Sequence, residues 1–186
     1  MRIIAGAFKG RTLQSPTWAG LRPTSDALRE TLFNVVGPRL DGAAVLDLCA
    51  GTGAVGLEAL SRGAARATFV DSDRRAVALV AANAARCGVV DRCMIVAGTA
   101  VGALADDLGG PFDLIVIDPP YDAPWTGEAV AGAARQLAPG GVLVLEHAWR
   151  RPPPAVPALT LERTRRAGDS ALSTYRLADG GEATRP

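Results

Sequence analysis

Five short apolar runs, separated by four stretches of helical periodicity, constrain this chain more than any other feature. They are "AAVLDL" (43–48), "RATFVD" (66–71), "CMIVAG" (93–98), "FDLIVID" (112–118) and "VLVLEH" (142–147). Between them lie "AVGLEALSRG", "DRRAVALVAANAARCG", a helix expected over roughly 99–108, and "TGEAVAGAARQLAPGG", which is read as helical to its final glycines. Strands that are apolar on both sides and alternate with helices predict βαβ units and a mostly parallel sheet covered on both faces. Ahead of them, "LRPTSDALRETLFNVV" predicts a helix opened by Pro23 and Thr24, with Leu28, Leu32 and Val35 on one face. "RIIAG" and "GRTLQS" flank a glycine-containing turn and predict an N-terminal β-hairpin. "LTLERTRR" and "ALSTYRLAD" close the pattern as two further strands. The expected fold is therefore α/β: a doubly wound, mostly parallel, seven-stranded Rossmann-like sheet with an N-terminal hairpin.

A chain of 186 residues is expected to form one domain. Residues 1–16 read as a hairpin extension, 17–39 as an N-terminal helix, 40–178 as the core and 180–186 as a frayed tail. No apolar run approaches the roughly 20 residues of a membrane span, and nothing resembles a secretory leader. Three cysteines without a C-x-x-C pair, and a single histidine, His147, predict no metal site and a reducing, cytoplasmic compartment.

The formal net charge of +1 hides an asymmetry. Residues 1–39 carry six basic side chains against two acids, residues 40–149 seven against thirteen, and residues 150–186 seven against four. Basic ends around an acidic middle predict that the ends meet a polyanion.

"VLDLCAGTGAVGLEAL" places G-x-G-x-x-G (Gly51, Gly53, Gly56) between a strand and a helix, with Asp71 twenty residues past Gly51. A dinucleotide fingerprint would have this form, with the glycines directly after the strand so that a pyrophosphate sits on the helix N-terminus. Here Asp47 is read as closing the strand, and Leu48, Cys49 and Ala50 intervene. A carboxylate at that point suits a cation instead, and S-adenosylmethionine carries an ammonium and a sulfonium. Asp71, at the end of the next strand, is placed to accept from ribose hydroxyls.

"DLIVIDPPYD" ends an apolar strand in Asp118, Pro119, Pro120 and Tyr121. In such sheets ligands lie outside the carboxyl ends of the strands, where the strands carrying Asp47 and Asp118 are neighbours. An exocyclic base amine is a poor nucleophile because its lone pair is delocalised into the ring. Asp118, with the Pro119 carbonyl, accepts its hydrogens and orients the lone pair. The two prolines stiffen the loop, and Tyr121 offers a face for the base to stack on.

These segments, with "MRIIAG.FKGR.L", "RPTSDALRETLFNVV" and "FVDSDRRA", resemble the bacterial 16S ribosomal RNA guanine-N2 methyltransferases that modify guanine 966. The resemblance is close over roughly residues 1–146 and loose beyond. It implies S-adenosylmethionine at Asp47, Ala50, Gly51, Gly53, Asp71, Ser72, Thr99, Ala100 and Asp118, and catalysis by Asp118, Pro119, Pro120 and Tyr121. It also implies RNA contacts from Arg2, Lys9, Arg11, Arg22, Thr24 and Arg29, with 16S ribosomal RNA, in a small-subunit assembly particle, as the partner of a monomer. Three positions depart from the family pattern. Thr99 stands where an Asp or Asn is common, Ala167 where a tyrosine is common, and Cys49 where an aromatic is frequent, which reads as a packing change. His147 is read as a strand-end surface residue. Two alternatives stay open: an adenine-N6 methyltransferase acting on DNA or RNA, and a non-catalytic RNA-binding protein on the same fold.

Overall fold

A computed structural model describes residues 1–18, 25–37 and 40–178. Among these, five helices, α1 (Asp26–Val36), α2 (Ala54–Ser61), α3 (Arg74–Cys87), α4 (Ala100–Ala103) and α5 (Thr126–Ala134), accompany seven strands. The strands are β1 (Ala44–Leu48), β2 (Arg66–Asp71), β3 (Cys93–Ala97), β4 (Phe112–Ile117), β5 (Leu137–Ala148), β6 (Leu159–Ala167) and β7 (Ser170–Leu177). They form one sheet in the order β3-β2-β1-β4-β5-β7-β6. β3 through β5 run parallel, whereas β7 is antiparallel to both β5 and β6.

Side chains alternate across each strand, so the sheet feeds two apolar clusters. Val45, Phe69, Leu114, Val116 and Val144 meet α1, α2 and α3. Leu46, Leu48, Val70, Ile115, Ile117 and Leu145 meet α4 and α5. Leu114 to Ile117 are all 2% exposed or less, and burial of such side chains contributes about 1.5–3 kcal/mol each. Gly56 sets the distance between α2 and the sheet: a Cβ there would lie 2.3 Å from the Phe69 ring.

The N-terminal segment departs from the expected hairpin. Its ends meet through a single antiparallel bridge, Arg2 to Thr12, with no flanking strands. Most of its hydrogen bonds beyond the turn go to the helices instead. Glu58 of α2 accepts the amides of Ile4 (2.7 Å) and Ala5 (2.9 Å), and Ser61 Oγ accepts that of Phe8 (2.9 Å). Gly6, at φ +83°, approaches so closely that a Cβ would fall 1.8 Å from the Ser61 carbonyl oxygen. On α3, Asn83 accepts the Gln14 amide at 2.7 Å and donates to the Thr52 carbonyl at 3.0 Å. The segment is thus a strap laid over α2 and α3.

Three further expectations are corrected. The stretch expected to stay helical to its final glycines leaves α5 at Ala134 and enters β5 at Leu137. Pro139 lacks the amide a helix needs, and Gly140 sits at φ +76°. The helix expected over 99–108 shortens to the four residues of α4. His147 is buried, not at the surface, with Nε2 2.8 Å from Ser173 Oγ. α1 starts at Asp26, where Ser25 Oγ accepts the Leu28 amide at 3.2 Å; Pro23 and Thr24 lie outside the described residues.

Candidate active site

The carboxyl ends of the parallel strands open onto a cavity of about 830 Å³. Two loops distant in sequence line it together: Cys49 to Thr52 after β1, and Asp118 to Tyr121 after β4. Their meeting follows from pairing, since Leu48 is in register with Ile117 and the Asp118 amide donates to the Leu48 carbonyl at 3.3 Å.

The first loop is a tight backbone turn. Gly51 (φ +56°) and Gly53 (φ +75°) occupy the left-handed region, and so does Cys49 (φ +64°), an unusual conformation for a residue with a side chain. Burial raises the Cys49 thiol, and the charges of Asp71, Asp118 and Asp47 raise it further, so it is no thiolate nucleophile. Asp71 fastens this turn from β2: Oδ2 accepts the Gly51 amide at 2.8 Å and Oδ1 the Asp73 amide at 2.9 Å. Each oxygen can accept a second hydrogen bond, and Asp71 lines the cavity.

Of the residues expected to hold the methyl donor, Ala50, Gly51, Asp71, Ser72, Thr99, Ala100 and Asp118 line the cavity, whereas Asp47 and Gly53 do not. Asp47 lies within β1, not at its end, is 2% exposed, and accepts the Gly56 amide at 2.9 Å. Burial pushes it up to about 8 despite that hydrogen bond. Asp47 therefore braces the first turn of α2, and Gly53 caps that helix. Thr99 caps α4, its Oγ1 accepting the Gly102 amide at 3.1 Å.

Asp118, Pro119, Pro120 and Tyr121 all line the cavity. Two residues that sequence reading passed over complete this corner. Glu146, near the end of β5, accepts the Ser170 hydroxyl at 3.1 Å and the Tyr121 hydroxyl at 3.4 Å. Tyr121 and Ser170 hydroxyls also hydrogen-bond each other. The signal for Glu146 was an acid closing the apolar run "VLVL", the same signal that singled out Asp118. Ser170 carried none. Trp18 and Trp125 add aromatic wall, and the Arg75 guanidinium lies 5.0 Å over the Trp18 ring.

The basic residues expected to face RNA divide. Arg2, Lys9 and Arg11 are exposed on the strap, and Arg22 and Thr24 lie outside the described residues. Arg29 is 0% exposed. Its guanidinium donates to Asp26 (2.6 Å), to the Arg2 carbonyl (2.9 Å) and to Glu58 (3.4 Å), tying α1 to α2 and the strap. The expectation of an RNA contact at Arg29 is thus corrected to a structural one. Among the described residues no cluster of His, Cys, Asp or Glu could hold a metal ion, and no helix is long and apolar enough to cross a membrane.

A family model described as Conserved hypothetical protein 95 matches residues 1–176. The ribosomal RNA small subunit methyltransferase D of Escherichia coli K12 is 37% identical over 186 residues, covering 98% of this chain and 93% of that protein. The protein of the same name from Haemophilus influenzae is 32% identical, covering 82% of this chain and 74% of its own. A solved Escherichia coli structure, described provisionally as a methyltransferase, superposes with a TM-score of 0.84 at 33% identity, covering 95% of this chain and 97% of that one. An RNA methyltransferase from Salinibacter ruber, solved with S-adenosyl-L-homocysteine, shares the fold at TM-score 0.65 and 16% identity, over 82% of this chain and 92% of its own. The chain therefore belongs to the Conserved hypothetical protein 95 family and is related, along nearly its whole length, to the ribosomal RNA small subunit methyltransferase D enzymes.

Proposed function

We propose that this protein transfers the methyl group of S-adenosylmethionine to the exocyclic N2 of a guanine in 16S ribosomal RNA, guanine 966 being the position that the resemblance implies. One observation carries the reading: the glycine turn and the D-P-P-Y loop, far apart in sequence, open onto one cavity. The residues present fit the donor. The cavity is within the usual size for a nucleoside-sized ligand, and Asp71, which would accept from ribose hydroxyls, lines it together with Ser72, Thr99 and Ala100.

Bound there, S-adenosylmethionine supplies a methyl group on a sulfonium, whose C–S bond breaks with its electron pair left on sulfur. The protein's part is to position the acceptor. Asp118 accepts an N2 hydrogen, which aims the amine lone pair along the line of attack. As that pair forms the new N–C bond, Asp118 takes the proton that N2 gives up. Pro119 and Pro120 hold the loop, and Tyr121 stacks on the base. Good alignment of this kind is worth about 7–11 kcal/mol of barrier. A guanine in a helix must first be turned out to reach this corner. The reading includes a single catalytic domain wound in both directions from the β1–β4 step, acting as a cytoplasmic monomer on the assembling particle. The test is transfer of labelled methyl to unmodified small-subunit RNA, free and protein-bound, followed by nucleoside analysis. N2-methylguanosine supports the reading, N6-methyladenosine supports the adenine alternative, and no transfer supports a non-catalytic binder.

A further inference from the structure

Glu146 has no part in the reaction as set out above, yet it occupies the same corner as Asp118. Ile117 of β4 and Leu145 of β5 are in parallel register, so Asp118 and Glu146 stand one step further along neighbouring strands. Both border the cavity. Glu146 is 7% exposed and Asp118 is half-buried. The Oε1 of Glu146 is occupied as an acceptor by Ser170 and Tyr121. Its carboxyl also stands close enough to that of Asp118 to be raised by it. Two carboxylates repel, so a hydrogen bond between them requires a proton on one.

We propose that Asp118 and Glu146 form a carboxyl pair sharing one proton, in which Glu146 is the donor that keeps Asp118 ionised and aimed at the target amine. This rests on the function proposed above. Glu146 is then a positioning residue, acting through Asp118 and through the Tyr121 hydroxyl. The more buried member keeps the proton because desolvation costs the charged form more. Burial and the neighbouring Asp118 push Glu146 up to about 8. The groups around it agree. Asp118 and Tyr121 face it from the loop after β4, while β7 brings Ser170 and Leu172, neither of them charged. Asp47 on β1 and Asp71 on β2 are the other carboxyl groups at this end of the sheet, and burial holds Asp47 up. The Arg151 guanidinium is directed to the Tyr121 carbonyl at 2.9 Å, and His147 to Ser173.

The sign of the pH dependence follows. The competent pair holds one proton, so activity falls as pH rises through about 8 and Glu146 ionises.

The test compares wild type, E146Q and E146A by three readouts: the infrared stretch of un-ionised carboxyl in the free protein, the pH profile of methyl transfer, and donor affinity by calorimetry. E146Q is expected to lose part of the un-ionised carboxyl signal at neutral pH. E146A should lower kcat about ten- to a hundredfold, the worth of one hydrogen bond to a charged group, with donor affinity little changed. E146Q, whose amide donates at every pH, should recover most of that loss and lack the decline above pH about 8. An E146Q spectrum identical to wild type, or an E146Q pH profile superimposable on it, overturns the proposal. Should the wild type transfer no methyl, the functional reading fails, while the infrared comparison still decides whether Glu146 holds the proton. E146Q keeps the shape of the side chain, so it serves even where E146A does not fold.

Discussion

The two basic ends of the chain look alike on paper and differ in how deeply an arginine is sealed into the protein. At the N-terminal end two of the described arginines are engaged by protein groups. Arg29 is sealed among Asp26, Glu58 and the Arg2 carbonyl. Arg11 donates to the Arg86 carbonyl at 2.8 Å, and Arg62 of the acidic middle joins Arg29 on Glu58. At the C-terminal end Arg163, Arg165 and Arg166 stand exposed on β6, the outermost strand of the sheet. Beside them Trp149 is 42% exposed, with the Arg166 guanidinium 5.4 Å over its ring. Charge on an edge strand deters pairing with other chains, but a half-exposed tryptophan does not serve that purpose. A cation already matched to a carboxylate adds little to the field that a phosphate meets, so charge counts alone do not locate an RNA face.

The largest expected effect tests the buried end. Arg29→Ala strips the buried Glu58 of one of its two arginine partners, leaving Arg62, and breaks the tie between α1, α2 and the strap; it should cost about 3 kcal/mol of stability in urea unfolding, whereas Arg165→Ala should stay within about 0.5 kcal/mol. Equal stabilities would erase the contrast. Next comes the exposed end. Replacing Arg163, Arg165 and Arg166 together with alanine should weaken binding to small-subunit RNA. Its log–log salt slope should flatten by about 0.7–0.9 for each phosphate no longer neutralised. An unchanged slope would return β6 to a merely protective role. Trp149→Ala should weaken RNA binding by about 1–3 kcal/mol if bases stack there, with Trp149→Phe closer to wild type; equal affinities for all three would remove the stack. The smallest effect belongs to Lys9→Ala on the strap, at most one phosphate's share of the salt slope, with donor affinity unchanged in calorimetry.

Much of the fold was legible because it rests on local signals. The apolar runs, the glycine turn and the D-P-P-Y stretch each announce themselves within a few residues, and β1 beside β4 follows from the topology they imply. What sequence reading missed depends on partners far along the chain. Arg29 looks like a helix-surface cation until Glu58 is placed against it. Asp47 looks like a ligand for a cation until its carboxylate is found on the Gly56 amide. Glu146 sits in a stretch read only as strand, because its meaning lies in its neighbour across the sheet. At Leu137 the helical pattern persisted, but Pro139 and Gly140 prevailed over it.

The strap has a consequence for how this molecule is born. Its anchors on Glu58, Ser61 and Asn83 lie 53 to 69 residues further along the chain. The strap therefore leaves the ribosome before α2 and α3 and has nothing to dock on until they have emerged, so it is among the last parts of this half to settle. Once settled, it closes over Glu58 and, through Asn83, holds the Thr52 carbonyl of the glycine turn. Trimming the start of the chain, as one trims a loose tail, would unfasten the turn that shapes the cavity.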